Sequence, residues 1–399
     1  MGLETHIAIV GTGDVVLNRY VRGLSAAREH GLPVVVEQVF GLASIMEVQP
    51  LLQALGLAVQ AYKVLPAEPE AAATYIHQHL SSDVLPVLAV PTDLHVPLAS
   101  RLIRAGRRVV IEKPLTTDAG EFALLDTDPT LSGLFNWFPL AYYLLEKGLP
   151  LAALMCASLR QPAVLDLLHP RVSPHVLEGW CRELGAVQGL EACLLEGAGT
   201  AAVLDHRPWV LTRSGGGNTW ETMFHLFSMM ALIPGGDMTL LDSSRGCVTP
   251  AGMTGGALAS PYADTAHYVK ARIGSVDCSL LTAKAVSPQA HQRWARLRTH
   301  GGEVFMDFES CTLSADLPSG RVQLALKDRR PYWAQFALVH AWHERRYAPP
   351  REIYRRGFRF TSQAWSAGAT QTCLAYPHGA DLDLLGYCLG RPLGDCFRR

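Results

Sequence analysis

The sequence predicts a two-domain α/β chain: a doubly wound parallel sheet first, then an α+β domain carrying a large, mostly antiparallel open sheet. Three observations carry this. The chain has 399 residues, enough for two sizeable cores. Short apolar strands alternate with helices over roughly the first 115 residues, the rhythm of right-handed parallel crossovers. After Gln188, longer runs alternate polar with apolar side chains, as a sheet with one open face does. The expected division is 1–135 and 136–399.

His6-Ile7-Ala8-Ile9-Val10 reads as a buried parallel strand, and Gly11-Thr12-Gly13 as the turn into a helix from about Val15 to His30. Gly31-Leu32-Pro33 ends that helix, and residues 34–40 form the second strand. A helix follows from Met46 to Leu55, closed by Gly56, and another over 69–80. Val84 to Val90 is a strand, Pro91 opens a helix that stops at Gly106, and residues 108–111 are a strand running into Glu112-Lys113-Pro114. Residues 140–185 read as mainly helical. Strands are expected over 190–204, 238–248, 265–285, 302–314 and 321–327, a loop over 250–260, and a helix over 332–346.

The hydrophobic fraction of 49% and charged fraction of 18% are those of a globular protein. A net charge of −1 supplies no field for nucleic acid or an anionic membrane. The basic runs, Arg345-Arg346 and 351–359, read as solvated surface. No apolar stretch reaches the ~20 residues that span a bilayer. The N-terminus lacks a basic segment followed by a cleavable apolar one, so a cytoplasmic location is expected. Nine scattered cysteines without a Cys-x-x-Cys pair suggest reduced thiols, with Cys388–Cys396 open as a pair. No ligand pattern for a metal stands out.

The turn after the first strand points to a dinucleotide. Gly11 permits the tight turn, Gly13 lets a pyrophosphate approach the backbone, and the following helix start supplies N–H donors. Thr12, Asp14 and Val15 complete that contact segment, while Val16 stands where a third glycine is usual. At the end of the second strand, where an acid usually binds the ribose, stand Ala43 and Ser44. Ser44 suits a 2′-phosphate, whereas Glu37 or Glu47 would suit a hydroxyl, so NAD and NADP both stay open.

Three motifs follow in order: the Gly-x-Gly turn; Pro91-x-x-x-His95 one strand before Glu112-Lys113-Pro114; and Gly215-Gly216-Gly217-x-x-x-Glu221-x-x-x-His225, with Pro208-Trp209 just upstream. Together they resemble the glucose-fructose oxidoreductase / inositol dehydrogenase (Gfo/Idh/MocA) family. The resemblance implies an N-terminal Rossmann domain, a nicotinamide cofactor, and a sugar, sugar phosphate, nucleotide sugar or cyclitol as substrate. It implies catalytic roles for Lys113, His225 and Glu221, each also contacting substrate, with Glu221 standing where the family usually has Asp. It places Pro91, Thr92 and Glu112 near the cofactor. His95 is expected either there or as a helix cap. It also implies a homo-oligomer, a dimer or tetramer, because the open sheet faces the active site or a partner subunit.

Elementary chemistry agrees with these roles. Alcohol oxidation by hydride transfer needs a base for the hydroxyl proton. His225 exchanges a proton near neutral pH and is the expected base, with Lys113 assisting. Glu221 and His225, four apart, share a helix face. The glycine triplet is expected to let that helix approach substrate. In Phe135-Asn136-Trp137-Phe138-Pro139, Asn136 is a candidate hydrogen-bond partner for substrate, and Trp137 either stacks on a sugar ring or packs. Compared with the family, 149–185 looks like an extra, largely helical insertion, whose His169, Arg171, His175 and Trp180 either cap the site or decorate the surface. Two other functions stay in play: a redox-neutral enzyme that recycles bound NAD, and a non-catalytic dinucleotide- or sugar-binding regulator.

Overall fold

A computed structural model describes residues 4–169, 172–197, 216–249, 264–367, 369–375 and 381–389. The segments naming Arg171, Pro208-Trp209, Gly215, the 250–260 loop and Cys396 lie outside these residues. The chain divides into two units, one of 1–146, 161–167 and 327–349, the other of 147–160, 168–326 and 350–399.

In the first unit, β1 (Thr5–Val10), β2 (Val34–Gly41), β3 (Tyr62–Val64), β4 (Leu85–Leu88), β5 (Val109–Ile111) and β6 (Trp137–Pro139) form one sheet in the order β3-β2-β1-β4-β5-β6. All its pairings are parallel. Ile7, Ala8, Ile9 and Val10 are wholly buried, because crossover helices cover both faces of such a strand. The connecting helices are α1 (Val21–Glu29), α2 (Ile45–Leu55), α3 (Pro69–His79), α4 (Thr92–Arg104) and α5 (Ala119–Thr127). A wide π-type turn, Val16–Tyr20, precedes α1 and delivers Tyr20 into the core.

The unit does not end at residue 135. β6 hydrogen-bonds β5 beyond that point, and residues 327–349 return to it. Their helix Trp333–His343 packs on α1, with Phe336 edge-on to Tyr20 at 5.3 Å. Thr5 meets His340 Nδ1 at 2.7 Å. A single cut at 135 fails because the apolar faces of α1 and β6 are covered by chain from far downstream.

The second unit holds helices Leu149–Met155 and Pro174–Leu184, both within the expected insertion. Its strands are β7 (Leu168–His169), β8 (Val187–Gly197), β9 (Met238–Thr249), β10 (Ala266–Ile273), β11 (Val276–Val286), β12 (Gln292–Thr299), β13 (Glu303–Asp307), β14 (Thr312–Leu317), β15 (Gly320–Leu326) and β16 (Ala369–Ala375). They form one sheet in the order β16-β9-β10-β11-β8-β12-β13-β14-β15-β7. Only β8–β11 and β9–β16 pair in parallel among the described residues. The expected strand 265–285 is a hairpin broken at Gly274, where φ is +57°.

Helices Phe224–Met230 and Arg351–Ala367 pack together and on the sheet. Their contact is close at Gly357, where a methyl group would come within 2.9 Å of Ser228 Oγ. Arg293, Arg296 and Arg321 line a cleft of ≈ 540 Å³ together with Glu303, Asp307, Glu309 and Asp316.

Cys247 is disulfide-bonded, which corrects the expectation of reduced thiols throughout. Cys388 is a free thiol, as are Cys156, Cys181, Cys193, Cys278 and Cys311. Among the described residues, no helix is long and apolar enough to cross a membrane, and no cluster of His, Cys, Asp and Glu has the form of a metal site.

Candidate active site

From β1 the sheet grows through β2 on one side and through β4 on the other. Their carboxyl ends therefore part and leave the crevice in which such sheets take ligands. Gly11 sits at its floor with φ +117°, and its N–H donates to Phe40 O at 2.7 Å. Ala89 N–H donates to Val10 O at 2.7 Å, bringing the end of β4 so near that a Cβ on Gly11 would overlap the Ala89 carbonyl oxygen. A Cβ on Gly13 would meet nothing within 4 Å, so that main chain is open to a ligand. Thr12 is wedged beside Gly41, and Asp14 pairs with Asn18. Val16 is fully buried and fills the helix–sheet contact that a third glycine would leave. Gly11→Ala is expected to cost on the order of 3 kcal/mol of stability and to abolish dinucleotide binding, read by urea unfolding and by NADH fluorescence titration.

At the ribose end, Ser44 caps α2 in a reciprocal box with Glu47. Ser44 N–H donates to Glu47 Oε2 at 2.7 Å. Glu37 pairs with His6 at 2.7 Å. Both acids offered as alternatives are thus held by the protein. The Tyr62 hydroxyl donates to Ala43 O at 2.7 Å and braces this loop.

The Lys113 turn is fixed from both sides. Glu112 N–H donates to Leu88 O at 3.0 Å, and the side chain turns inward, 5% exposed. Glu112 Oε1 accepts from the Tyr20 hydroxyl at 2.9 Å, and Oε2 from Lys113 N–H at 2.8 Å. Burial raises the carboxyl's pKa, while the Lys113 charge pulls it down. Burial beside Glu112 holds the Tyr20 and Tyr332 hydroxyls well above their ordinary range. The Lys113–Pro114 bond is cis.

His95 is buried between two main-chain carbonyls, with Nδ1 2.8 Å from Pro114 O and Nε2 2.9 Å from Val90 O. Burial lowers its pKa to about 4, so the ring is neutral and its one N–H serves one carbonyl at a time. His95 therefore ties the Pro91 loop to the Lys113 turn; it neither caps the helix nor presents a nitrogen to a cofactor. Pro91 stands at the start of α4, and Thr92 is buried.

Asn136 and Trp137 are corrected. Val109 N–H donates to Asn136 O at 3.0 Å, which puts Asn136 at the amino end of the parallel sheet. Lys113 lies past the carboxyl end, roughly 16 Å away along the strand direction at ~3.3 Å per residue. The Asn136 amide donates to Thr130 O at 2.7 Å, and Trp137 is 2% exposed as core of β6. Of the insertion residues, His175 is exposed and Trp180 half-buried on the helix Pro174–Leu184.

Glu221 and His225 belong to the second unit. Glu221 lies in a π-type turn, Thr219–Met223, that runs into the helix Phe224–Met230, where His225 is 3% exposed. The glycines before them have a different duty from the one expected. Gly216 has φ +77° and Gly217 φ +62°. A Cβ on Gly216 would meet Trp220, and one on Gly217 would overlap Asp264 Oδ1. Protein therefore fills the room these glycines leave.

That contact exposes a buried polar chain unrecognised in the sequence. Asp264 and His267 are wholly buried. The Thr219 hydroxyl donates to Asp264 Oδ2 at 2.8 Å, so His267 Nδ1–H donates to Thr219 Oγ1 at 2.7 Å. Nε2 then accepts from Ser243 at 2.9 Å. Burial pushes Asp264 up to about 7 and His267 down to about 3. Arg245 bears on both while stacked on Trp365, 4.2 Å from the ring centre. The one signal for this chain was His267, a polar residue on an apolar strand face.

A doubly wound sheet with this glycine turn is the arrangement of a dinucleotide-binding domain, and a lysine stands just past its fifth strand. Residues 5–126 match the Gfo/Idh/MocA model, described as an oxidoreductase family with an NAD-binding Rossmann fold. The match covers the first domain, under a third of the chain, and is a likeness of that domain. No curated protein matches it in sequence.

Solved structures share its fold over nearly the whole length. A levoglucosan dehydrogenase in complex with NADH and levoglucosan is 13% identical, with a TM-score of 0.66 over 91% of this chain and 96% of that one. A 3-ketoreductase from Actinomadura kijaniata, in complex with NADP and TDP-benzene, is 14% identical, with a TM-score of 0.64 over 94% and 100%. A biliverdin reductase from Synechocystis sp., in complex with biliverdin and NADP+, is 14% identical, with a TM-score of 0.61 over 90% and 98%. At such identities the likeness is one of fold.

Proposed function

We propose that this protein transfers a hydride between a nicotinamide dinucleotide and a hydroxyl-bearing or carbonyl carbon of a sugar, sugar phosphate, nucleotide sugar or cyclitol. The supporting observation is Lys113, held by Glu112 and His95 at the carboxyl end of β5. Residues Gly11 to Val15 fit a dinucleotide: open main chain at Gly13, just before a helical turn, suits a pyrophosphate. When bound, the nicotinamide supplies the hydride acceptor or donor.

The protein's part is positioning and proton transfer. The Lys113 ammonium orients a substrate hydroxyl and favours its loss of a proton. His225 takes that proton as general base, and the Glu221 carboxylate accepts a hydrogen bond from a neighbouring hydroxyl. In the reductive direction His225 returns the proton. The levoglucosan dehydrogenase among the similar folds supports a sugar-like substrate; the biliverdin reductase shows why substrate must be tested. We further propose a homo-oligomer joined through the cleft on β12–β15, whose cations and anions complement a second copy.

The test is turnover followed by nicotinamide absorbance, with NAD+ and NADP+ separately, against myo-inositol, levoglucosan, glucose, glucose 6-phosphate and UDP-N-acetylglucosamine. The reverse direction uses NADH or NADPH with biliverdin. Oxidation of at least one sugar or cyclitol is expected. Cofactor binding without turnover on any of them, or turnover with biliverdin alone, overturns the reading.

A further inference from the structure

We propose that Tyr20 is a positioning residue for Lys113, acting through Glu112: its hydroxyl holds one carboxyl oxygen so that the other accepts the Lys113 N–H. This rests on the reading of Lys113 above and adds a residue from another element to that site.

The geometry carries it. Tyr20 closes the π-type turn before α1 and is wholly buried. Its hydroxyl spans 92 residues of chain to reach Glu112 Oε1 at 2.9 Å. Glu112 Oε2 is 2.8 Å from Lys113 N. A carboxyl group is planar, so fixing one oxygen fixes the other, and with it the main-chain direction at Lys113.

Tyr20 is itself confined. Phe336 packs edge-on, and the Tyr332 ring lies 4.9 Å away. Gly23 is what lets that segment come close, since a Cβ there would stand 2.6 Å from Pro331 O. Tyr332 has φ +69°, and its N–H donates to Glu146 Oε1 at 2.7 Å. The charged and titratable groups around Glu112 are therefore Lys113, Tyr20 and Tyr332. Arg19, stacked on Tyr142, and Glu146 stand behind Tyr332. A tyrosine serving only as core filler would need no hydroxyl here.

The experiment is amide hydrogen exchange on the full chain, resolved at Lys113, in wild type, Tyr20→Phe, Glu112→Ala and the double variant. In Tyr20→Phe the Lys113 amide is expected to exchange tenfold or more faster, while β1 and β5 amides stay within twofold. In the Glu112→Ala background, adding Tyr20→Phe should change Lys113 exchange by less than twofold, because the path is already broken. Unchanged Lys113 exchange in Tyr20→Phe, a uniform acceleration across β1 and β5, or additive effects in the double variant each overturn the proposal. If Lys113→Ala keeps wild-type turnover, the role of Lys113 falls instead, and the exchange result stands apart from it.

Discussion

Lys113→Ala is expected to lower turnover by about 100-fold or more while leaving dinucleotide affinity within a fewfold of wild type. The proposed dinucleotide contacts, Gly11 to Val15, lie on another strand end, so removing the ammonium should leave them in place. Glu112 still accepts the residue-113 N–H in the variant, because that bond is to main chain. The backbone should survive and only the side-chain charge go. His225→Ala is expected to lose turnover by a similar factor, and the double variant much less than the product of the two, if both serve the one proton transfer proposed. Stopped-flow turnover on the best substrate of the panel, beside NADH fluorescence titration, separates the effects. Wild-type turnover in both single variants would sink the assignment.

Asp264→Asn is expected to change the pH dependence of stability. The folded pKa of Asp264 stands at about 7, above the ordinary 3.8, because the carboxyl is wholly buried. Its stabilising contribution is fully present below the unfolded value and is lost as pH rises through about 7. Asparagine does not titrate. Between pH 4 and pH 9 the stability difference should therefore move by about 4 kcal/mol in favour of the variant. Urea unfolding across that range measures it; a difference independent of pH refutes the placement of Asp264. His267 titrates in the same network with its pKa pushed down to about 3, so both proteins share its acid limb, and the comparison cancels it.

Much of the first unit was legible because its signals are local. Four consecutive apolar residues in β1 can only be buried on both faces, and a glycine with φ +117° at the strand end marks the turn that follows. Gly56 and Gly106, with φ +73° and +83°, end α2 and α4 where expected. The strand β12 escaped notice because Gln292-Arg293-Trp294-Ala295-Arg296-Leu297-Arg298-Thr299 is rich in arginine. Its charges make sense only beside its neighbours: Arg296 reaches Glu191 on β8 and Glu303 on β13. Asn136 was misplaced for a related reason. A motif in a loop carries no sign of which end of a sheet it occupies, and β6 is only three residues, too short for its pattern to read as a strand.

The sequence by itself determined the dinucleotide turn and the lysine at the end of β5, because each rests on a short run of residues whose conformational preferences agree. Tertiary structure decided everything that depends on distant chain. Tyr332 comes to Tyr20 and Glu112 only because helix packing brings residues 327–349 back onto α1. Gly217, before Glu221, is explained only by Asp264, distant in the chain. Contacts of that kind follow from how buried surfaces fit together, and no local pattern of residue types records the fit.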